Sequence, residues 1–218
     1  VACDANAIQI RQDIKPMRVF SKAEQSQLCE HILKKNEPCN IGILVCLFTG
    51  LRIGEICALR WEDVSFSDQS IYIHHTLQRI QIQQDHGVKT KVVITTPKSN
   101  CSIRKIPLTE EISQILIENK KSASGYLLTN DESKFIEPRT MQNKFKKVLK
   151  SAGIADANFH SLRHTFATRC IELGFDVKSL SEILGHATVN ITMNRYVHPT
   201  YEMKKKNMQK LSELLAVK

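Results

Sequence analysis

The stretch from Ser70 to Leu108 interrupts an otherwise helical sequence and constrains the fold more than any other feature. Its three segments SIYIHHTLQRI, TKVVITTPK and SIRKIPL are rich in β-branched residues and are separated by Gly87 and by KSNC. They predict three antiparallel strands, the last two joined by a tight turn at Lys98 to Cys101. Because helical patterns flank this single group, we expect an α+β, mostly α-helical domain with one small three-stranded antiparallel β-sheet.

Helical patterns occupy most of the remaining chain. Ser21 begins the sequence SKAE, a capping box that starts a helix, and the apolar run from Ile41 to Phe48 is typical of a buried core helix. Further helices are expected from Arg52 to Leu59 and, at the C-terminus, from Tyr201 to Val217. Three other helices are expected to end at glycines, which adopt the left-handed conformation after a helix most easily: Gly153, Gly174 and Gly185.

The composition narrows the class of protein. Of 218 residues, 42% are hydrophobic and 24% are charged, as in ordinary soluble domains, and no apolar run is long enough to span a membrane. Seven cysteines without CxxC spacing favour reduced thiols over a disulfide framework. The net charge of +9 indicates a polyanionic partner, for which nucleic acid is the usual candidate. Many basic proteins bind no nucleic acid, so charge alone does not decide this.

Two polar clusters lie at predicted helix starts. In TGLRIGE, Arg52 and Glu55 are three residues apart and share a helix face, so the carboxylate can orient the guanidinium. A surface salt bridge near a helix start is the competing explanation for this motif taken singly. In HSLRH, His160, Arg163 and His164 form one polar stripe. A second arginine beside a histidine suits the binding of an anion, whereas His164 taken alone is better explained as a supporting hydrogen-bonding residue.

A third cluster contains His186, just beyond a helix end, and Tyr196, ten residues later. Each residue alone is ordinary, but arginines, histidines and a tyrosine together suit attack on a phosphodiester by a tyrosine hydroxyl. Guanidinium groups stabilise the negative charge of a phosphoryl-transfer transition state. A phenol with a pKa near 10 needs a base or a positive field to lose its proton, and the leaving alkoxide needs an acid, such as a lysine on a turn.

The motifs TGLRIGE, HSLRH, LGH and RYVH, in this order, resemble the catalytic domain of the tyrosine recombinases of the phage and transposon integrase family. The resemblance extends from about Arg18 to the C-terminus and is strongest to integrases of conjugative transposons and prophages. The segment TTPKSNCSIRKIPL is similar to the family's β-hairpin, whose turn lysine corresponds to Lys98. The resemblance therefore implies the same fold, a helical domain with a small sheet.

The resemblance also implies roles for individual residues that hold the scissile phosphate. Arg52 and Arg163 would clamp it, and His186 would donate a hydrogen bond to one of its oxygens in the transition state. His160 would bind the phosphate and help to deprotonate the nucleophile. Glu55, and in a lesser role His164, would be supporting residues.

Tyr196 would be the nucleophile, forming a 3′-phosphotyrosyl bond, and Lys98 would protonate the leaving 5′-hydroxyl. Tyr201 lies nearby but lacks the Y-x-H setting and the expected distance from His186. Three other lysines compete with Lys98, but none of them lies in PKSNCSIR between the second and third strands: Lys89, Lys91 and Lys105. The exchange conserves bond energy, so neither a cofactor nor a metal is implied.

The resemblance implies three parts of the chain. Residues 1–17 would be a linker from an upstream core-binding domain, residues 18–200 the catalytic domain, and residues 201–218 a tail helix. That helix packs either on a neighbouring subunit or on its own core, and the sequence leaves both open. The implied partners are double-stranded DNA at attachment sites, three further copies in a homotetramer, and accessory excision or DNA-bending factors. The implied location is the bacterial cytoplasm, on the nucleoid when DNA is bound, and not a membrane.

Three alternative functions remain open from the sequence. A type IB topoisomerase uses the same tyrosine chemistry and relaxes supercoils without a partner duplex. A DNA-binding regulator would use the basic surface without chemistry. A zinc protein would use His160 and His164, which have helical spacing for a metal, together with Cys170. Against zinc, Arg163 would place a cation beside the metal.

Overall fold

The structure is a computed structural model. It describes residues 17–35, 37–84, 87–96, 100–197 and the individual positions 201, 204, 205, 208 and 209. Residues 1–16 of the linker predicted at 1–17 and the turn residue Lys98 lie outside these residues. The predicted tail helix is described only at the five individual positions, which have helical backbone.

Helices dominate the described part of the chain, as predicted. Their bounds are α1 Lys22–Lys35, α2 Pro38–Thr49, α3 Ile53–Ala58, α4 Glu110–Asn119, α5 Pro138–Ser151, α6 His160–Glu172, α7 Val177–Leu184 and α8 Val189–Tyr196. The strands are β1 Val64–Ser65, β2 Ser70–Ile73, β3 Thr76–Gln84, β4 Gly87–Thr95 and β5 Arg104–Pro107. Short 3-10 turns lie at Trp61–Asp63 and Asn100–Ser102. Within the described residues, no helix is long and apolar enough to cross a membrane.

The local helix signals are confirmed. The Ser21 hydroxyl accepts from the Glu24 amide at 3.1 Å, and the Glu24 carboxylate accepts from the Ser21 amide at 2.8 Å, which completes the capping box. The three predicted terminal glycines all have positive φ, at 70°, 83° and 65°. The run from Ile41 to Phe48 lies within α2, whose residues are buried on nearly all sides. This helix is the centre of the core and contacts α1, α4, α5 and α6.

The strands pair differently from the prediction. A three-stranded antiparallel sheet has the order β1-β2-β5, while β3 and β4 form a separate two-stranded ribbon. The segment SIYIHHTLQRI is therefore two strands, divided at His74 and His75. At this division, His74 bonds the Asp63 carboxylate at 2.7 Å. The predicted second and third strands consequently belong to different sheets, although the helical class with small antiparallel sheets is confirmed.

Candidate active site

The site begins where α2 ends at Gly50. This glycine has φ 67°, and a Cβ there would lie 2.6 Å from Phe166 and 2.8 Å from Leu184, so a side chain is excluded both by strain and by space. The turn places Arg52 directly before α3. Its backbone amide donates to one Glu55 oxygen at 2.9 Å, and its guanidinium donates to the other at 2.8 Å. The predicted contact between Arg52 and Glu55 is therefore present.

Glu55 has a second partner that the sequence analysis missed. Arg104, at the start of β5, donates from both terminal nitrogens to the Glu55 carboxylate at 3.0 and 2.9 Å, and both side chains are buried. Burial alone would raise the pKa of Glu55, but hydrogen bonds and charge from Arg104, and the charge of Arg52, outweigh it and lower the pKa. Glu55 is therefore an ionised carboxylate that joins two guanidinium groups.

A signal for Arg104 was present in the sequence. Alternate residues of a strand face the same side, and Arg104 is two positions from the apolar Ile106. In the structure both are buried while Lys105 between them is exposed. A buried arginine needs an anionic partner, and Glu55 was already a candidate.

Arg163 is the most deeply buried of the predicted site residues, with 2% of its surface exposed. It donates to the carbonyl of Gly50 at 2.7 Å and to the carbonyl of Leu184 at 2.7 Å. Desolvation and the nearby charge of Arg52 lower its pKa to about 9, so the group remains a cation at neutral pH. Carbonyls at two helix ends, which carry partial negative charge, hold this cation in place.

The C-terminal end of α7 binds three arginines. Three successive carbonyl oxygens each accept from a different guanidinium: Ile183 from Arg104 at 2.6 Å, Leu184 from Arg163 at 2.7 Å, and Gly185 from Arg52 at 2.9 Å. The free carbonyls of a helix end are the natural acceptors for such donors. One helix end therefore fixes the relative positions of cations from α6, from β5 and from the turn before α3.

His186 follows this helix end directly. Its Nδ1 lies 2.7 Å from the hydroxyl of Thr192, which is fully buried on α8. Burial, followed by the positive charges of Arg163 and Arg52, lowers the pKa of His186 to about 3. The imidazole is therefore neutral at neutral pH in the absence of an anion.

The hydroxyl of Tyr196 lies 2.9 Å from Nδ1 of His164. Both side chains are buried, with 7% and 8% of their surfaces exposed. Burial raises the pKa of Tyr196, although the charges of Arg163 and Arg195 oppose it. Burial, and then the charges of Arg195 and Arg163, lower the pKa of His164 to about 4. The pair is therefore a neutral phenol and a neutral imidazole.

His160 lies one helical turn before His164, with their rings edge to face at 4.4 Å. It is at the surface, unlike His164. Partial desolvation, and then the charges of His164 and Arg163, lower the pKa of His160 to about 4. No hydrogen bond to Tyr196 from His160 is found in the described part of the chain; His164 holds that position instead.

Other predicted candidates fall outside this cluster. Tyr201 is 80% exposed, Lys105 pairs with Asp68 at 2.7 Å on the surface, and Lys91 is exposed. Cys170 is buried with Leu180, Leu184 and Tyr196, and among the described residues there is no group of three or more histidine, cysteine or acidic side chains that can hold a metal. Neither Lys98 nor the Lys89 side chain is part of the described structure.

Comparison with known proteins identifies the family. The model of the phage integrase family matches residues 18–203. Two relatives are 30% identical to this chain. One is a tyrosine recombinase XerC-like protein of Caldanaerobacter subterraneus subsp. tengcongensis, and the match covers 91% of this chain and 54% of the relative. The other is the transposase from transposon Tn916 of Enterococcus faecalis, and the match covers 79% of this chain and 46% of the relative. The solved structure of the Tn1549 transposon integrase in complex with transposon right end DNA is 26% identical with a TM-score of 0.75, covering 93% of this chain and 69% of that one.

The chain belongs to the phage integrase family, which confirms the resemblance found in its sequence motifs. It spans about half the length of the curated relatives that it matches.

Proposed function

We propose that this chain is the catalytic domain of a site-specific DNA recombinase, residues 18–200, that integrates and excises a mobile element. The observation that carries the proposal is a buried tyrosine hydroxyl that feels the charges of two arginines, both of which are fixed on one helix end. Tyr196 attacks the scissile phosphorus and forms a 3′-phosphotyrosyl bond. The 5′-hydroxyl of a partner strand later attacks that bond and releases the tyrosine.

The arginines supply the positive field for this reaction. Arg163 has both terminal nitrogens on backbone carbonyls, which hold it in position before an anion arrives. Arg52 is held by Glu55 and Gly185 and has 37% of its side chain exposed, so it can reach a phosphate oxygen. Preorganised cations of this kind stabilise the transition state without reorganising during the reaction.

The remaining roles concern protons. His160, at the surface, and His186, beside Gly185, donate hydrogen bonds to phosphate oxygens. Lys98 protonates the departing 5′-oxygen. The anionic phosphate raises the pKa of each histidine, because it offsets the arginine charges that lower them in the free protein.

Double-stranded DNA is the proposed substrate, consistent with the net charge of +9. The Tn1549 relative is described in complex with transposon end DNA. We further propose that residues 1–17 link the catalytic domain to a core-binding domain. Four copies would assemble on attachment sites together with accessory excision or DNA-bending factors. The protein would work in the bacterial cytoplasm, on the nucleoid when DNA is bound.

The tail helix, residues 201–218, is proposed to pack on a neighbouring subunit. An apolar groove of about 640 Å³ between α2, β5 and the end of α6 offers a surface for such a helix; its lining includes Phe48, Phe166, Leu173 and Phe175. A chain that is shortened after residue 200 is expected to lose its DNA-dependent assembly, which light scattering measures. Retained assembly would place the tail on its own core.

Covalent trapping on a nicked duplex tests the reaction. The duplex carries the junction of the mobile element that encodes the chain, and the wild type is compared with Tyr196→Phe and, as the matched control, Tyr201→Phe. An adduct stable in detergent and lost only in Tyr196→Phe supports the proposal. Binding to the junction without an adduct from any form, including a longer protein, would favour a DNA-binding regulator. Supercoil relaxation without strand exchange would favour a topoisomerase.

A further inference from the structure

The hydroxyl of the proposed nucleophile has a defined partner. Nδ1 of His164 lies 2.9 Å from Oη of Tyr196, and their rings are 5.8 Å apart. His160, one turn earlier on α6, is at the surface, where it is better placed to meet a phosphate than a buried hydroxyl. Two adjacent histidines on one helix are thus divided between an outer and an inner position.

We propose that His164, and not His160, takes the proton from the Tyr196 hydroxyl during cleavage. This inference rests on the proposed function, because it concerns the same reaction. In this step the Oη–H proton moves to Nδ1 of His164, and the freed electron pair of Oη forms the bond to phosphorus. The P–O5′ bond breaks, and the leaving oxygen takes its proton from Lys98. His160 then acts only as a hydrogen-bond donor to the phosphate.

The charges around His164 connect this proton transfer to DNA binding. The groups that face it are His160 and Arg163 on its own helix and Tyr196 and Arg195 on α8. In the free protein, burial and the two arginines keep its pKa at about 4, so it is a weak base. A phosphate within about 4–6 Å raises the pKa of a histidine by roughly 1–3 units. The base therefore gains strength only when the scissile phosphate is in place.

The proposal requires one tautomer. A neutral imidazole carries its proton on one nitrogen and a lone pair on the other. If Nδ1 has the lone pair, the tyrosine hydroxyl donates to it and can pass on its proton. If Nδ1 carries the hydrogen, His164 donates to Oη and cannot accept. The direction of this hydrogen bond is therefore a decisive observable that needs no DNA.

Nuclear magnetic resonance of the chain with ¹⁵N-labelled histidine and ¹³C-labelled tyrosine measures that direction. The signal of His164 is assigned by its loss in His164→Asn, or by through-space contacts to Tyr196 if that variant does not fold. The expected result near neutral pH is a non-protonated Nδ1 and a protonated Nε2. A protonated Nδ1 would overturn the proposal.

Rates of adduct formation on the nicked junction duplex supply the second test. Asparagine can keep a hydrogen bond near the Nδ1 position but cannot take a proton, so His164→Asn is expected to lose roughly 10²-fold or more in rate. Its residual rate should rise with pH as Tyr196 itself ionises. The matched control is His31→Asn, at a histidine that bonds Ser151 on α5 and is expected to leave the rate unchanged.

The two tests separate the possible failures. His164→Asn that reacts within about threefold of wild type would reduce His164 to a positioning residue and overturn the proposal. His160→Asn is expected to slow the reaction while keeping the wild-type pH dependence; a lost pH dependence there would restore His160 as the base. If neither this chain nor a longer protein forms an adduct on the junction duplex, the proposed function fails, and the tautomer still decides whether His164 can accept the proton.

Discussion

Arg104 and Glu55 form a two-pronged ion pair, with both terminal guanidinium nitrogens on the two carboxylate oxygens at 3.0 and 2.9 Å. The same carboxylate binds Arg52 at 2.8 Å. One buried acid therefore links the strand after the proposed catalytic turn to an arginine proposed to clamp the phosphate.

Replacing the Glu55 carboxylate should lower the free energy of unfolding. Glu55→Gln leaves Arg104 buried without an anionic partner, and removal of one member of a buried pair costs roughly 3–5 kcal/mol of unfolding free energy. Denaturant unfolding measures this cost. The matched control is Glu172→Gln, whose exposed carboxylate pairs with Arg169 three residues away, with an expected change below about 1 kcal/mol. Equal losses in the two variants would contradict the assigned role of Glu55.

Acid should destabilise the free protein through its site histidines. The pKa values of His160, His164 and His186 are lowered to between about 3 and about 4, from 6.5 when unfolded. Between the folded and unfolded pKa values, the unfolded chain binds more protons than the folded chain. The free energy of unfolding is therefore highest above pH 6.5 and decreases as the pH falls towards 4. The slope is at most about 1.4 kcal/mol per pH unit for each of His164 and His186. It is smaller for His160, because solvent screens the interactions of this exposed side chain.

Urea unfolding at several pH values between 4 and 7 measures this slope for the wild type and for His164→Asn. The variant should show a shallower dependence, because it lacks one of the groups that the unfolded chain protonates. Identical slopes in the two proteins would show that His164 titrates normally in the folded state.

A side chain at Gly185 should disturb the arginines. Its φ is 65°, and a Cβ would lie 2.9 Å from Nη1 of Arg104 and 3.1 Å from the Cys101 carbonyl. Gly185→Ala is expected to cost about 1–2 kcal/mol from backbone strain alone and to slow adduct formation as well. Gly174→Ala is the control, since φ is 83° there but nothing lies within 4 Å of the added atom. Comparable rates for both variants would contradict the crowding at Gly185.

The hydroxyl of the buried Thr192 should determine which tautomer the His186 imidazole adopts. Its hydroxyl is 2.7 Å from Nδ1, and the hydrogen bond at one ring nitrogen decides which tautomer the other presents. Thr192→Val is expected to slow single-turnover cleavage about tenfold, equivalent to about 1.4 kcal/mol, whereas Thr192→Ser keeps the hydroxyl and the rate. If serine and valine behave alike, the methyl packing and not the hydrogen bond is what matters.

Local signals made much of this protein predictable. Capping at Ser21, glycines at helix ends and the apolar period of α2 depend on neighbours within a few residues, so a linear reading can identify them. The contact between Arg52 and Glu55 was predictable for the same reason, since the two are three residues apart on one short helix.

The sequence by itself therefore determined the helical class, the family, and the clusters from which the site is built. Tertiary structure alone decided that β5 pairs with β2 rather than with β4. It also brought Arg104 to the Glu55 carboxylate, 49 residues away in the sequence, and His164 to the Tyr196 hydroxyl, 32 residues away. These outcomes depend on which buried surfaces meet, because a buried charge or hydroxyl must find its partner wherever the packing places one.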